Sequence, residues 1–329
     1  MSKEKILSIL IENAGHFCSG EEISRQLGIS RAAVSKAVAA LRKDGYAIQA
    51  VTNRGYLLQH EPNRLTAAAI APRLNVSREE DRLLVLEKTD STNSVLKRMA
   101  TDGAMDGTVV IAEQQTAGRG RLGRSFLSPS GSGIYISFLL RPQVRPDRAL
   151  NLTACTAIAV CDAIEAAVGM RPQIKWTNDI LLDSRKVCGI LTEMSVEGES
   201  GALQYIVVGI GINCSQRLTD FPEELRDVAG SIDMAARIPC DRNRLCAELI
   251  NAMDRMYADW LNGIWSVEKY RADCATLGRE VRVLRGGTSR NAFAEDIDDE
   301  FSLIVRYEDG TRETVFSGEV SVRGLEGYV

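Results

Sequence analysis

Residues 116–126 read TAGRGRLGRSF, three glycines interleaved with three arginines. Gly118, Gly120 and Gly123 spell G-x-G-x-x-G, the dinucleotide fingerprint, directly after an apolar run at 108–115, TVVIAEQQ, that predicts a buried strand. The fingerprint requires a helix to open at its last glycine, so that the helix N-terminus faces a pyrophosphate. Here RSFLSPSGSG comes next, and then a second strand, GIYISFLL at 133–140. No helix can start there, so a dinucleotide fold is excluded despite the spelling. What remains is a glycine-rich loop between two strands. Its amides are exposed, and Arg119, Arg121 and Arg124 have no acid beside them in sequence, which predicts an anion cradle, mobile until an anion neutralises it. Taken alone, the loop reads equally well as an Arg-Gly linker or an RNA-touching segment.

Outward from the loop, the chain predicts strands and helices in irregular order. VLEKTD (85–90) precedes a helix, STNSVLKRMA, that Ser91 or Thr92 can cap. Residues 151–169 predict a long amphipathic to buried helix, and 244–261 another. QIKWTNDILL (173–182) and KVCGILTEMSVE (186–197) predict a hairpin turning at Asp183-Ser184, and QYIVVGIGIN (204–213) a buried strand. Hairpin-like strands with helices on one face predict a mixed α+β sheet rather than βαβ repeats. From Leu277 onward, four short β-patterned segments, REVRVLRG, RNAFAEDID, FSLIVRYEDG and RETVFSGEVSVRG, predict a small β-barrel.

The first 60 residues are different. They hold eight Lys/Arg against five acids, a local +3; with a net charge of −4, the remainder of the chain carries −7. A small basic head on an acidic body points to phosphate as the head's partner. Apolar spacing over 3–12 predicts a first helix, Ser19-Gly-Glu-Glu22 a capping box for a second, and Ser30 the cap of a third running to Gly45. Gly28 turns between the last two. This is a helix-turn-helix whose second helix offers Ser30, Arg31, Ser35 and Lys36, with small Ala32 and Ala33 permitting close approach to a duplex. YAIQAV-TNRG-YLLQ then predicts two strands, a wing carrying Arg54. The other reading of this segment is a generic three-helix interaction domain. The expected domains are therefore a winged helix-turn-helix at 1–62, a central domain at 63–274 and the barrel at 275–329.

Composition narrows the chemistry. The eight cysteines form no C-x-x-C pair and predict reduced, buried thiols in a cytoplasmic protein. The two histidines, His16 and His60, leave a structural zinc site without ligands and exclude His-based acid-base chemistry beyond the head. With no run of 18 apolar residues, neither a signal peptide nor a membrane span is expected. Catalysis by Lys, Arg, Asp and backbone groups favours positioning and electrostatics.

Three further motifs, KWTND (175–179), KVCGI (186–190) and GIGIN (209–213), each place a polar residue at a strand end or hairpin turn. Singly, Lys175 reads as an edge charge, Lys186 as a surface charge and Asn213 as a turn former. Together and in order with G-R-G-R-x-G-R, they resemble the biotin protein ligases that carry an N-terminal DNA-binding domain and repress the biotin operon, and the resemblance covers the whole chain. It implies a central mixed-sheet ligase domain, a C-terminal SH3-like barrel, and synthesis of biotinyl-5′-AMP from biotin and ATP with Mg²⁺. Biotin then passes to a lysine of a carboxylase carrier domain. In this pattern Arg119 and Arg121 lie over the adenylate and carboxylate, at both the biotin and nucleotide positions, and Lys186 lies beside the reacting oxygens at the biotin end, with Asp179 the candidate for orienting or deprotonating the acceptor amine. Ser91, Thr92, Asn93, Gln115, Gly120 and Gly189 fall at positions for biotin; Gly118, Arg124, Phe126, Lys175, Asn178 and Asn213 at positions for the nucleotide. Biotinyl-5′-AMP as corepressor, a homodimer when it is bound, and operator DNA are the implied partners, with no membrane; no protein-bound metal ligand is assigned. Leu122, Phe126 and Thr177 depart from the residues the family often has, the first two in the direction of weaker nucleotide contacts. A ligand sensor with a dead ligase core is disfavoured by Lys186 and the loop arginines, and a lipoate ligase by the Gly-Arg loop and KWTND.

Overall fold

The computed structural model describes residues 2–198, 200–285, 287–316 and 321–324. The head contains α1 (Ser2–Glu12), α2 (Gly20–Leu27) and α3 (Arg31–Lys43), followed by the antiparallel hairpin β1 (Ala47–Val51) and β2 (Gly55–His60). Ser19 Oγ caps α2 by accepting the Glu21 amide at 3.3 Å, one position earlier than a capping box with Glu22 would place it. Ser30 Oγ caps α3 through the Ala33 amide at 3.1 Å. Gly28, at φ +63°, ends α2 in the left-handed region that glycine adopts freely. Ile6, Leu10, Ile23, Val34, Val38 and Leu41 close the small core. That core also takes in Ala69 of α4 (Ala67–Ile70), so the head rests on the start of the central domain.

The central sheet has the order β3-β4-β5-β9-β8-β7-β6. Its strands are β3 (Leu83–Leu86), β4 (Val109–Ala112), β5 (Gly133–Leu140), β6 (Gln173–Lys175), β7 (Asp179–Leu182), β8 (Arg185–Val196) and β9 (Leu203–Asn213). Of these strands only β3 and β4 pair in parallel, across the α5 (Thr92–Thr101) connection; the other pairs are antiparallel. Strand alternation sorts side chains to two faces. Ile134, Ile136, Phe138, Ile206, Val208, Ile210 and Ile212 meet the long helices α6 (Leu152–Val168) and α8 (Arg242–Leu261). Leu139, Val110 and Val207 face the other way and pack on Leu96 and Ala100 of α5. The expected helical layer on one face is thus α6 with α8, and the short α5 lies across part of the second. The stretch Pro146–Val168 is long and apolar enough to cross a membrane by composition, but its side chains are largely buried inside this core.

Two local readings change. Residues 173–182 form two strands, because Trp176, Thr177 and Asn178 turn the chain between β6 and β7. The expected hairpin at Asp183-Ser184, both at positive φ, joins β7 to β8. After α7 (Ile232–Ala236), α8 and α9 (Val267–Asp273) comes an antiparallel sheet of order β13-β12-β11-β10-β14. Its strands are β10 (Glu280–Arg285), β11 (Thr288–Ile297), β12 (Leu303–Tyr307), β13 (Arg312–Val315) and β14 (Ser321–Gly324). The last β-patterned segment is therefore two strands, and residues 317–320 between them lie outside the described residues. Val281, Val283, Ala294, Leu303 and Val305 continue the central core, and Trp176 Nε1 donates to Phe301 O at 2.9 Å across the junction.

One charged pair lies deep in the fold. Arg242, fully buried at the start of α8, donates to Glu113 Oε1 at 2.6 Å, Gly133 O at 2.8 Å and Asn63 Oδ1 at 2.9 Å. Glu113 Oε2 accepts the Leu65 amide at 3.3 Å. The segment leaving the head is thereby fastened to the ends of β4 and β5.

Candidate active site

Because Ile210 and Ile212 of β9 face α6 and α8, Gly209 and Gly211 face the α5 side. Gly189 of β8 sits opposite Gly211 in register. These three glycines floor a cavity of about 800 Å³. Close approach requires two of them: a Cβ on Gly209 would lie 2.1 Å from Asn93 Oδ1, and one on Gly211 2.5 Å from Phe126 Cε1. The Phe126 ring also meets Tyr135 edge-on, with centroids 6.4 Å apart.

The first turn of α5 and the end of β4 build the neutral polar wall. The Thr92 amide and hydroxyl both donate to Gln115 Oε1, at 2.8 and 3.1 Å, and Gln115 Nε2 donates to Ser128 Oγ at 2.9 Å. Ser137 Oγ of β5 lies within hydrogen-bonding distance of Thr92 Oγ1 (2.7 Å) and Asn93 Oδ1 (2.6 Å). Asn93 Nδ2 donates to Glu193 Oε2 at 2.9 Å. This orients the Ser91-Thr92-Asn93 segment, buried under the cavity edge.

The β4–β5 loop supplies the charged wall. It folds back on itself, with the Gly120 amide donating to Arg124 O at 2.7 Å and the Phe126 amide to Gly118 O at 2.9 Å. Arg119, without an acid nearby in sequence, finds one in space: Nη2 is 3.1 Å from Glu193 Oε1. Arg121 Nη1 donates to Asn178 Oδ1 at 2.9 Å. Burial draws the Arg121 guanidinium below the usual arginine range, opposed by the Asp179 charge, and it stays cationic at neutral pH. Lys186 Nζ is 2.6 Å from Asp179 Oδ1. Asn213 is fixed by donating to Gly230 O at 3.0 Å, and Phe221, Leu225 and Val228 close one side of the cavity.

The structure brings together every catalytic, biotin and nucleotide candidate of the sequence at this one cavity except Gly118. Gly118 stands behind the wall, where a Cβ would be 2.3 Å from Phe126 O. Of the departures, Leu122 is 73% exposed at φ +56°, and Thr177 is buried with its Oγ1 lacking a hydrogen-bond partner. Ser128, Ser137 and Glu193, which hold the wall residues from behind, and Phe221, Leu225 and Val228, which line the cavity, were not expected from the sequence. Glu193 follows the apolar run Val187–Leu191, but nothing in its local sequence marks it as a site residue. In the head, Ser30, Arg31, Ala32, Ser35 and Lys36 form the exposed face of α3, and Arg54 at the hairpin turn lies over the Phe17 ring, 4.2 Å from its centroid.

A winged helix on a mixed sheet, with a glycine-floored, arginine-walled cavity, defines a ligand-activating catalytic core carrying a DNA-binding head. The family model described as the Biotin/lipoate A/B protein ligase family matches residues 85–213. An HTH domain model matches 2–57 and a Biotin protein ligase C terminal domain model 276–323. The Bifunctional ligase/repressor BirA of Bacillus spizizenii is 34% identical over 323 residues, covering 97% of this chain and 98% of that protein. The Escherichia coli protein of the same name is 30% identical over 330 residues, covering 98% and 97%. A solved structure, biotin protein ligase from Aquifex aeolicus in complex with biotin and ATP, superposes with a TM-score of 0.63 at 28% identity over 74% of this chain and all of that one. The chain belongs to the biotin protein ligase family, in its bifunctional ligase/repressor branch.

Proposed function

We propose that this chain joins biotin and ATP into biotinyl-5′-AMP, transfers biotin to a lysine of a carboxylase carrier domain, and represses transcription of biotin genes in response to the adenylate. The observation that carries this is one cavity with a neutral hydrogen-bonding wall and a cationic wall on a glycine floor. Biotin's uncharged ring fits the neutral wall, where Ser91, Thr92, Asn93 and Gln115 offer donors and acceptors along a narrow apolar floor that includes Gly189. Its carboxylate then lies toward Arg119, Gly120 and Arg121. Arg124, Phe126, Lys175, Asn178 and Asn213 surround the nucleotide, and Gly118 shapes the loop that holds it.

In the first step the biotin carboxylate attacks the α-phosphorus and pyrophosphate leaves. The nucleophile is already ionised, so no base is needed; the demand is for cations that let two anions meet. Arg119, Arg121 and Lys186 supply them, and Asp179 holds Lys186 in place. Mg²⁺ enters with ATP as part of that substrate, held largely by the phosphates. In the second step the carrier lysine attacks the acyl carbonyl and AMP departs. Asp179 orients that amine or takes its proton.

For regulation, the adenylate draws the arginine loop onto the cavity and favours a homodimer whose paired α3 helices read a two-fold-symmetric operator. Eight buried, unpaired cysteines fit a cytoplasmic setting. Purified protein with ATP, Mg²⁺ and biotin is expected to label a carrier domain, and failure to do so overturns the ligase reading. Footprinting of its genomic neighbourhood is expected to reveal a biotin-dependent palindrome; no protected site would leave the head without this role.

A further inference from the structure

Among the described residues, Glu193 is the acid that touches both walls of the cavity. Its Oε1 receives Lys97 Nζ at 2.6 Å and Arg119 Nη2 at 3.1 Å, and its Oε2 receives Asn93 Nδ2 at 2.9 Å. Arg119 arrives from the Gly-Arg loop, whereas Asn93 and Lys97 come from one face of α5 and Glu193 from the C-terminal half of β8. The carboxylate is mostly buried, with 18% of its side chain exposed, while Arg119 is about half exposed. A shielded anion on a central strand therefore grips one nitrogen of a long, flexible cation.

We propose that Glu193 is the positioning residue of the ligase reaction: it parks the Arg119 guanidinium at the cavity wall, leaving the other N–H groups to meet the incoming biotin carboxylate, while Lys97 keeps Glu193 compensated. The proposal rests on the ligase function proposed for this same cavity. Two features of the chemistry favour it. A guanidinium has five donors in a fixed plane, so it can hold two carboxylates at once. Without an anchor, fixing so long a side chain on ligand binding costs its rotamer freedom. Lys97 matters because a second carboxylate entering beside Glu193 would otherwise be repelled by it.

Glu193 must be ionised to do this. Burial pushes its carboxyl up, but the hydrogen bonds from Lys97 and Asn93 and the charges of Lys97 and Arg119 outweigh burial and hold it below the usual carboxylate range. The charged groups facing it are Lys97 from α5 and Arg119 from the loop; its register partner on β9 is the apolar Val207. A lowered folded value means the contribution is present above the usual carboxylate range and is lost as pH falls through the lowered value.

The test measures carrier labelling by the full chain in wild type, Glu193→Gln, Glu193→Asp and Lys97→Met, with biotin and ATP varied separately. Glu193→Gln keeps a hydrogen-bonding partner for Asn93 and removes the charge. It is expected to raise the biotin KM by about tenfold while kcat changes less than about threefold and the ATP KM stays put. Glu193→Asp should recover part of the loss. In Lys97→Met the acid limb of the biotin affinity profile should move to higher pH, a shift that a structural brace would not produce. If the wild type labels the carrier but Glu193→Gln leaves the biotin KM unchanged, or lowers kcat and raises both KM values together, the proposal is overturned. An acid limb that stays where it is in Lys97→Met overturns it as well. A wild type that labels nothing instead sinks the ligase reading, and the proposal with it.

Discussion

Lys186 stands at the start of β8, and the charge it brings to the cavity is held by Asp179. Removing the ammonium takes a cation from the reacting oxygens. Lys186→Ala is expected to slow adenylate formation by roughly 100- to 1,000-fold, read as biotin-dependent pyrophosphate exchange. A normal exchange rate would remove the lysine from the chemistry. Thr177 is the opposite case. Its buried hydroxyl has no partner, so Thr177→Val should raise stability by about 1 kcal/mol in urea unfolding. Lys186 and the loop arginines were legible because their types repeat a pattern. Glu193 was not, because nothing in TEMSVE shows that α5 and a distant loop converge on it. Asn93 is a middle case: its place at the cavity was legible, but not that its amide is committed to Glu193 on one side and Ser137 on the other.

At the scale of elements, the β4–β5 loop was legible because the proline and glycines after Phe126 forbid a helix. KWTND was harder. Its apolar flanks predict one strand through 173–182, yet the chain turns at Trp176, because that indole is drawn beneath the C-terminal sheet, where it donates to Phe301 O. Such tertiary demands leave little trace in local pattern. The same is true of α8, whose amphipathic stripe was visible from Arg244 onward, while Arg242 at its start drew no attention. Buried against Glu113, it makes a prediction of its own. Glu113→Ala leaves an uncompensated guanidinium in the core and is expected to cost roughly 3–5 kcal/mol, seen as a fall in the midpoint of urea unfolding. A loss under about 1 kcal/mol would mean that water reaches the arginine.

For the whole molecule, the contrast between basic head and acidic body sets how it meets DNA. Arg31 and Lys36 lie on the exposed face of α3, away from its buried stripe. If each contacts one phosphate, Arg31→Ala and Lys36→Ala should each lower the salt dependence of operator binding by about one unit of log–log slope. Fluorescence anisotropy across a salt series measures this, and an unchanged slope would place the duplex elsewhere. The succession of helical head, mixed-sheet core and C-terminal antiparallel sheet was legible because each has its own periodicity; the fastening between head and core was not, since it depends on Asn63 and Leu65 reaching a buried pair. That fastening fixes where the chain can be cut. An enzyme stripped of its head by cleavage ahead of Asn63 keeps every ligand of Arg242. One trimmed to begin at α4 loses Asn63 from the arginine and the Leu65 amide from Glu113. The headless enzyme is therefore a matter of a few residues: the shorter form would fail as a catalyst for want of a strut, and its failure would be mistaken for a need for DNA.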